Sequence, residues 1–140
     1  MRHEEIADAF EFIDDWEERY RYVIELGKAL DGFPDALKTD ATRVEGCVSQ
    51  VWLRTFDKDG TLGLTGDSDA MIVRGLVAIL TAFYEGRPLG EVPALDVEAY
   101  LRRLQLDEHL TPQRSNGLAS MVARVRADAA RLSAEGTAAA

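Results

Sequence analysis

Cys47 is the only cysteine among the 140 residues, and Gly46 precedes it at the start of a run that predicts a β-strand. A glycine at that position permits a positive φ, so the thiol is expected at the tip of a turn. A lone cysteine is most often a small, inert core residue. A thiol without an intramolecular partner can nevertheless carry a sulfur substituent without closing a disulfide on itself. The glycine turn favours such single-thiol chemistry at Cys47.

Other chemistries lack the residues they need. With one cysteine and only His3 and His109, a structural zinc site or a protein-held iron–sulfur cluster has too few soft ligands unless a second chain contributes. A cysteine–histidine hydrolase would have to use His109, for which a polar residue at a helix entrance is the simpler interpretation. The sequence has no Cys-X-X-Cys pair, and residues 66–69 (GDSD) have neither the lysine of a P-loop nor the glycine spacing of a dinucleotide site.

The chemistry that remains is that of one thiolate. A thiolate attacks a persulfide by the displacement that underlies disulfide exchange, so Cys47 could accept a sulfane sulfur without a resolving cysteine. A free thiol is mostly protonated at neutral pH, and a nearby cation would favour the thiolate. Arg43 and Arg114 are the candidate cations, although each could instead pair with one of the 25 acidic residues.

Composition argues against several classes of protein. The formal net charge is -9 and no basic run is present, so binding to nucleic acid or to an anionic membrane is not expected. The longest apolar stretch, residues 71–84, is interrupted by Arg74 and is shorter than the roughly 20 residues that span a bilayer. The first residues lack the pattern of a signal peptide, and one cysteine argues against a disulfide-rich secreted domain. The expected location is the cytoplasm.

Hydrophobic periodicity and turn signals predict the elements that position the thiol. In chain order they are a short helix over about 4–13, an amphipathic helix capped by Asp15, a hairpin with its turn at 57–60, a mostly buried helix over about 71–83, a short helix around 97–104 and a last helix that starts at Thr111 and Pro112. A third short strand is expected at 43–45. Gly75 is predicted to mark a close helix contact with the sheet.

The order of helices, antiparallel hairpin and further helices predicts an α+β domain. No Pro/Gly/Ser-rich linker divides the chain, so a single domain over 1–140 is expected. The alanine-rich tail from about residue 135 is expected to fray.

Several segments together resemble the SufE family, the sulfur acceptors of iron–sulfur cluster assembly. The similarity is carried, in chain order, by residues 16–20 (WEERY), 24–27 (IELG), 46–52 (GCVSQVW), 66–70 (GDSDA), 72–76 (IVRGL) and 109–112 (HLTP), with Arg114 and 116–118 (NGL). It spans most of the chain and fails at the termini and in the loop at 31–42.

The resemblance implies a small antiparallel sheet that carries helices, as in the IscU-type scaffolds, with the active cysteine in the loop before the long strand. It implies that Cys47 accepts persulfide sulfur from a SufS-type cysteine desulfurase, stimulates that enzyme and passes sulfur to a SufB-containing scaffold. Pyridoxal phosphate belongs to the desulfurase, and no cofactor is expected on this chain, which would be a non-enzymatic accessory protein and a monomer or weak homodimer. The alternative is a docking activator in which Cys47 is a bystander.

By the same resemblance, four residues belong to the surroundings of the thiol or to the desulfurase-facing surface. They are Gln50, Asp69, His109 and Arg114. Val48 departs from the family, where a glutamine is common at that position, and makes the surroundings of the thiol more apolar, which disfavours the thiolate. Val48 and Trp52 are expected to shield the thiol.

Overall fold

A computed structural model describes residues 2–139. Its helices and strands are α1 (His3–Phe12), α2 (Trp16–Lys28), β1 (Val51–Lys58), β2 (Thr61–Ser68), α3 (Met71–Tyr84), α4 (Val97–Arg103), α5 (Leu106–His109) and α6 (Pro112–Ala139). Single 3-10 turns lie at Asp35–Leu37 and Val92–Ala94. Helices flank one antiparallel hairpin, so the predicted α+β class is confirmed.

The hairpin forms where the turn signal predicted it. β1 and β2 pair in antiparallel register along their whole length. Asp59 and Gly60 link the strands with φ values of 53° and 87°, and two positive φ values are what a two-residue type I′ turn requires. The right-handed twist of this turn matches that of the strands, which fixes the register.

The third strand expected at 43–45 is reduced to one bridge, between Arg43 and Trp52. Val44 N donates to Val51 O over 2.9 Å, and the chain then leaves the sheet at the glycine turn before Cys47. The β-branched pattern predicted extended backbone here, but the turn ends the pairing before a ladder can extend.

α3 and α6 both pack on the hairpin, and α2 packs on α3. At Gly66 of β2, an added Cβ would lie 2.7 Å from a Leu53 side-chain carbon and 2.8 Å from one of Val77, so α3 approaches the sheet closely there. Buried apolar side chains from the three elements form the centre of one core: Val51, Leu53, Leu62, Leu64, Leu76, Val77, Ile79, Leu80, Met121, Val125 and Ala129.

Gly75 marks the crossing of α3 with α2, and the predicted contact of Gly75 with the sheet was wrong. An added Cβ at Gly75 would lie 2.2 Å from Val23 O, and one at Gly27 would lie 2.7 Å from Gly75 N. Only a residue without a side chain lets two helix backbones approach this closely. α3 is buried on two sides, so periodicity could not say which neighbour required the glycine.

α6 starts as predicted, with Thr111 Oγ1 accepting from the backbone N–H of Arg114 over 3.3 Å and Pro112 as the first helical residue. α6 continues to Ala139, and the expected fraying from about residue 135 stays a prediction. Alanine has the highest helix propensity, which offsets the cost of Gly136. Position 140 lies outside the described residues. Within residues 2–139, no helix is both long and apolar enough to cross a bilayer.

Candidate functional site

Cys47 lies in the loop that leads into β1, and this loop rests on α6. Gly46 has a φ of 88°, as the glycine turn predicted. An added Cβ at Gly46 would lie 2.6 Å from Ser120 Oγ on α6, so the turn contacts the helix directly. A side chain at position 46 would be strained by its backbone conformation and would also clash with the helix.

The thiol of Cys47 points at α6 as well. Its Sγ lies 3.6 Å from the carbonyl oxygen of Gly117, to which the S–H donates. An added Cβ at Gly117 would lie 3.4 Å from Sγ, so a larger residue there would press on the sulfur. Cys47 is half-buried, and burial raises the pKa of its thiol. In the free protein the thiol is therefore partly shielded, and its burial disfavours the thiolate.

A cavity of about 220 Å³ opens beside this thiol. Its lining combines apolar side chains from α3 and α6 with polar ones from the loop and the start of α6: Cys47, Val48, Ser49, Val73, Leu76, Thr111, Gln113, Arg114, Gly117 and Met121. The space exceeds what one additional sulfur atom on Cys47 requires. The lining provides hydroxyl and amide groups that can hydrogen-bond to a polar or charged substituent.

Arg114 is the only charged side chain in that lining. It is exposed, and no ion pair to its guanidinium is found among the described residues. The other candidate cation, Arg43, does not line the cavity, although its backbone carbonyl has a structural role described below. Arg114 is therefore positioned to attract an anion at the cavity mouth, and Arg43 is not.

Gln50 and Asp69 meet each other at the far end of the loop. The backbone N–H of Gln50 donates to Asp69 Oδ1 over 3.0 Å, and Gln50 O accepts from Ser68 Oγ over 2.8 Å. These bonds join the residue before β1 to the end of β2. Neither side chain lines the cavity, so the structure gives the pair a role in closing the loop.

His109 lies away from the cavity and packs on α2. Its ring stacks on Trp16 with centroids 3.7 Å apart and an angle of 11° between the planes. Nδ1 lies 3.1 Å from Gln105 O, and the backbone carbonyl of His109 accepts a short hydrogen bond from Tyr20 Oη. These contacts fix the entrance to α6, and they give no support to a catalytic pair of His109 with Cys47.

Of the two residues expected to shield the thiol, Val48 lines its cavity and Trp52 does not. Val48 is 79% exposed, and Trp52 lies under the ammonium of Lys38, whose Nζ is 4.9 Å from the ring centroid. Gly117 and Ser120 of α6 also contact the thiol loop. A glycine inside a predicted helix is the one sequence signal that could have pointed to this contact.

Known proteins match this chain over most of its length. The family model described as "SufE: Fe-S metabolism associated domain" matches residues 4–129. An uncharacterised SufE-like protein of Rhizobium etli is 51% identical over 130 residues, which cover 90% of this chain and 88% of that protein. One of Rhizobium meliloti is 46% identical over 130 residues, covering 90% and 93%.

A solved structure has the same fold. The solution structure of a hypothetical protein from Thermus thermophilus superposes with a TM-score of 0.75, covering 93% of this chain and 94% of that chain. The two sequences are 20% identical, so this likeness concerns the fold alone.

Proposed function

The chain belongs to the SufE family of domains associated with Fe-S metabolism, and on this premise we propose that it is a sulfur acceptor and carrier. In this proposal Cys47 takes a sulfane sulfur from a cysteine desulfurase and passes it on for iron–sulfur cluster assembly. The resemblance to SufE inferred from the sequence motifs is confirmed by the family match.

The observation that carries the proposal is the placement of Cys47 in its cavity. The half-buried thiol, the only one in the chain, borders a space of about 220 Å³ with Arg114 at the mouth. A core cysteine would be surrounded by packed side chains, because protein interiors leave few voids larger than a water molecule. Space beside the sulfur and a cation that has no ion pair among the described residues fit a cysteine that gains an anionic substituent.

The transfer step needs no outside oxidant. The Cys47 thiolate attacks the terminal sulfur of the donor's persulfide, a new S–S bond forms at Sγ, and the donor's S–S bond breaks. The bonding pair leaves with the donor's sulfur, which becomes a thiolate again. The sulfane sulfur thus moves without a net change in oxidation state, and the donor is ready for its next cycle, which explains how an acceptor raises a desulfurase's turnover.

The proposed partners are those that the resemblance to SufE implies. The donor is a SufS-type desulfurase, which holds pyridoxal phosphate, and the recipient is a SufB-containing scaffold; both would meet the chain in the cytoplasm. Burial disfavours the thiolate in the free chain, so we infer that docking moves the loop and favours formation of the thiolate.

Intact-mass spectrometry tests the proposal directly. The purified chain is incubated with a cysteine desulfurase, pyridoxal phosphate and cysteine, and its mass is measured under non-reducing conditions. The chain should gain one or more sulfur atoms, which a reducing thiol removes, and Cys47→Ser should gain none. An unmodified wild-type chain beside an actively turning desulfurase would rule out the carrier.

Cys47→Ser also separates the carrier from a docking activator. Serine replaces one atom, so binding to the desulfurase should survive while stimulation of its turnover is lost. If the serine variant stimulates as well as wild type at saturating cysteine, activation by docking alone becomes the better account.

A further inference from the structure

We propose that Arg124 is a positioning residue: it clamps the stem of the Cys47 loop onto α6 and so keeps the thiol turned into its cavity. The stem is residues 41–44, which precede the glycine turn. This inference rests on the proposed function only in taking Cys47 as the reactive group.

The guanidinium of Arg124 makes three contacts, of which two join α6 to the stem and the third lies within α6. Nη1 donates to Arg43 O over 3.0 Å, and Nη2 donates to Ala41 O in a short hydrogen bond. Nε donates to Asp128 Oδ2 over 3.0 Å, one helical turn further along α6. A planar fork of donors can hold two backbone carbonyls at once, which a single ammonium cannot do in the same geometry.

Asp128 extends the clamp to the sheet. Its Oδ2 also accepts from Thr55 Oγ1 of β1 over 2.8 Å, and its side chain is only 13% exposed. A carboxylate this buried is costly to leave unpaired, so the ion pair fixes the guanidinium in place. One network therefore links the loop stem, α6 and β1.

The clamp lies on the same face of α6 as the thiol contact. Gly117, Ser120, Arg124 and Asp128 follow one another at intervals of three or four residues, which places them in one row along the helix. The first two contact the loop tip and the last two hold its stem. This row is the surface on which the loop rests.

The two sides of the stem are held differently. On the sheet side, Val44 N donates to Val51 O over 2.9 Å and Leu53 N donates to Thr42 O over 2.8 Å. On the helix side, the tip contacts α6, among the described residues, through the weak S–H contact of 3.6 Å to Gly117 O and the contact of Gly46 with Ser120. The charged fork of Arg124 is thus the strongest attachment of the loop to α6. Without it, the stem stays paired to β1 but can tilt away from the helix and expose the sulfur.

The test is the rate at which iodoacetamide alkylates Cys47 in the isolated chain, measured across a pH series. Arg124→Ala should react about tenfold faster near neutral pH, and its pH midpoint should fall as burial is lost. Arg124→Lys keeps the charge but not the fork, so its rate should lie between those of wild type and the alanine variant. Arg131→Ala is the matched control, because Arg131 pairs with Glu135 on the exposed surface of the same helix, and its rate should equal that of wild type.

A folded Arg124→Ala chain with the wild-type rate and pH midpoint overturns the proposal. Should that variant fail to fold, Asp128→Asn decides instead, because it keeps the side-chain size and removes the charge that fixes the guanidinium. A faster rate in Asp128→Asn supports the clamp, and an unchanged rate overturns it. No desulfurase takes part, so failure here leaves the sulfur-acceptor proposal standing, and failure of sulfur uptake leaves the clamp standing.

Discussion

Cys47 donates its S–H to a helix carbonyl and lies half-buried, which suits the storage of an unreactive thiol more than attack on sulfur. An exposed reactive thiol would oxidise or form intermolecular disulfides, so the proposed carrier, which has one cysteine, would benefit from shielding between cycles. The shielding has a cost in reactivity, since the protonated thiol is not the nucleophile. Shielding between cycles and reactivity during transfer are compatible only if the surroundings of the sulfur change at the moment of transfer.

The pH dependence of alkylation should reveal this shielding. Burial raises the pKa of the Cys47 thiol, so at any given pH the folded chain holds less thiolate than the denatured chain. The alkylation rate of the native protein should therefore rise at higher pH than that of the same protein in denaturant. A native midpoint equal to or below the denatured one would show that the thiol is not shielded.

Arg114 is expected to act on association. It is exposed at the cavity mouth without an ion-pair partner among the described residues, so Arg114→Glu should weaken desulfurase binding about tenfold at low salt, with a smaller effect at high salt. Arg102→Glu makes the same change in net charge, but Arg102 is an exposed residue at a different cavity, so it should bind nearly as wild type. Titrations by fluorescence anisotropy at two salt concentrations measure both. Equal losses in the two variants would mean that only net charge matters.

Among the helices and strands, the features that depend on neighbouring residues in the sequence were predicted correctly. Asp59 and Gly60 adopt the positive φ values that their types favour, and Asp15 Oδ1 accepts from Glu17 N to cap α2 as expected. Contacts between elements were predicted less well. Gly75 was predicted to contact the sheet but packs on α2. The prediction was wrong because a pattern of buried positions does not show which element lies against them.

At the site, too, local features were predicted better than contacts between distant segments. The glycine turn before Cys47 was predicted from two adjacent residues, and Arg114 lines the thiol cavity. His109 stacks on Trp16 instead, a contact across 93 positions that no local pattern encodes. The clamp of Arg124 was not predicted for the same reason. Its acceptors are backbone carbonyls, which every residue type carries, so the sequence does not indicate them.

The crossing of α2 and α3 should depend on Gly75. In Gly75→Ala the new Cβ would meet Val23 O at 2.2 Å and Val23 Cγ1 at 2.4 Å, so the helices must separate. Overpacking costs about 1–3 kcal/mol and the gain in helix propensity returns about 1 kcal/mol, so the net loss of stability should be up to about 2 kcal/mol, the upper end applying to a backbone clash. Gly32→Ala is the control, since nothing lies within 4 Å of its added Cβ. Urea unfolding followed by circular dichroism measures both, and a Gly75→Ala protein as stable as wild type would contradict the packing argument.

In the whole molecule, three segments distant in sequence converge around the thiol. The loop before β1, the start of α3 and the start of α6 each contribute to the cavity lining. Val48 in the loop lines this cavity and is 79% exposed, and Met71, the first residue of α3, is 60% exposed. Large exposed apolar side chains are suited to contact with a partner. The fold thus holds the sulfur inward while it presents Val48 at the cavity and Met71 elsewhere on the surface.

This arrangement predicts that the partner controls access to the thiol. Cys47 of the isolated chain should be alkylated slowly. A saturating concentration of a desulfurase whose own persulfide-forming cysteine has been replaced should raise the alkylation rate about tenfold. The reason is that docking on the exposed apolar groups supplies the energy to lift the loop from α6. The label is followed by intact mass, with Cys47→Ser as the unlabelled control. Arg114→Glu, which should bind weakly, should need more desulfurase to reach the same rate. A rate that is unchanged or lower at saturating desulfurase would show that docking does not open the loop.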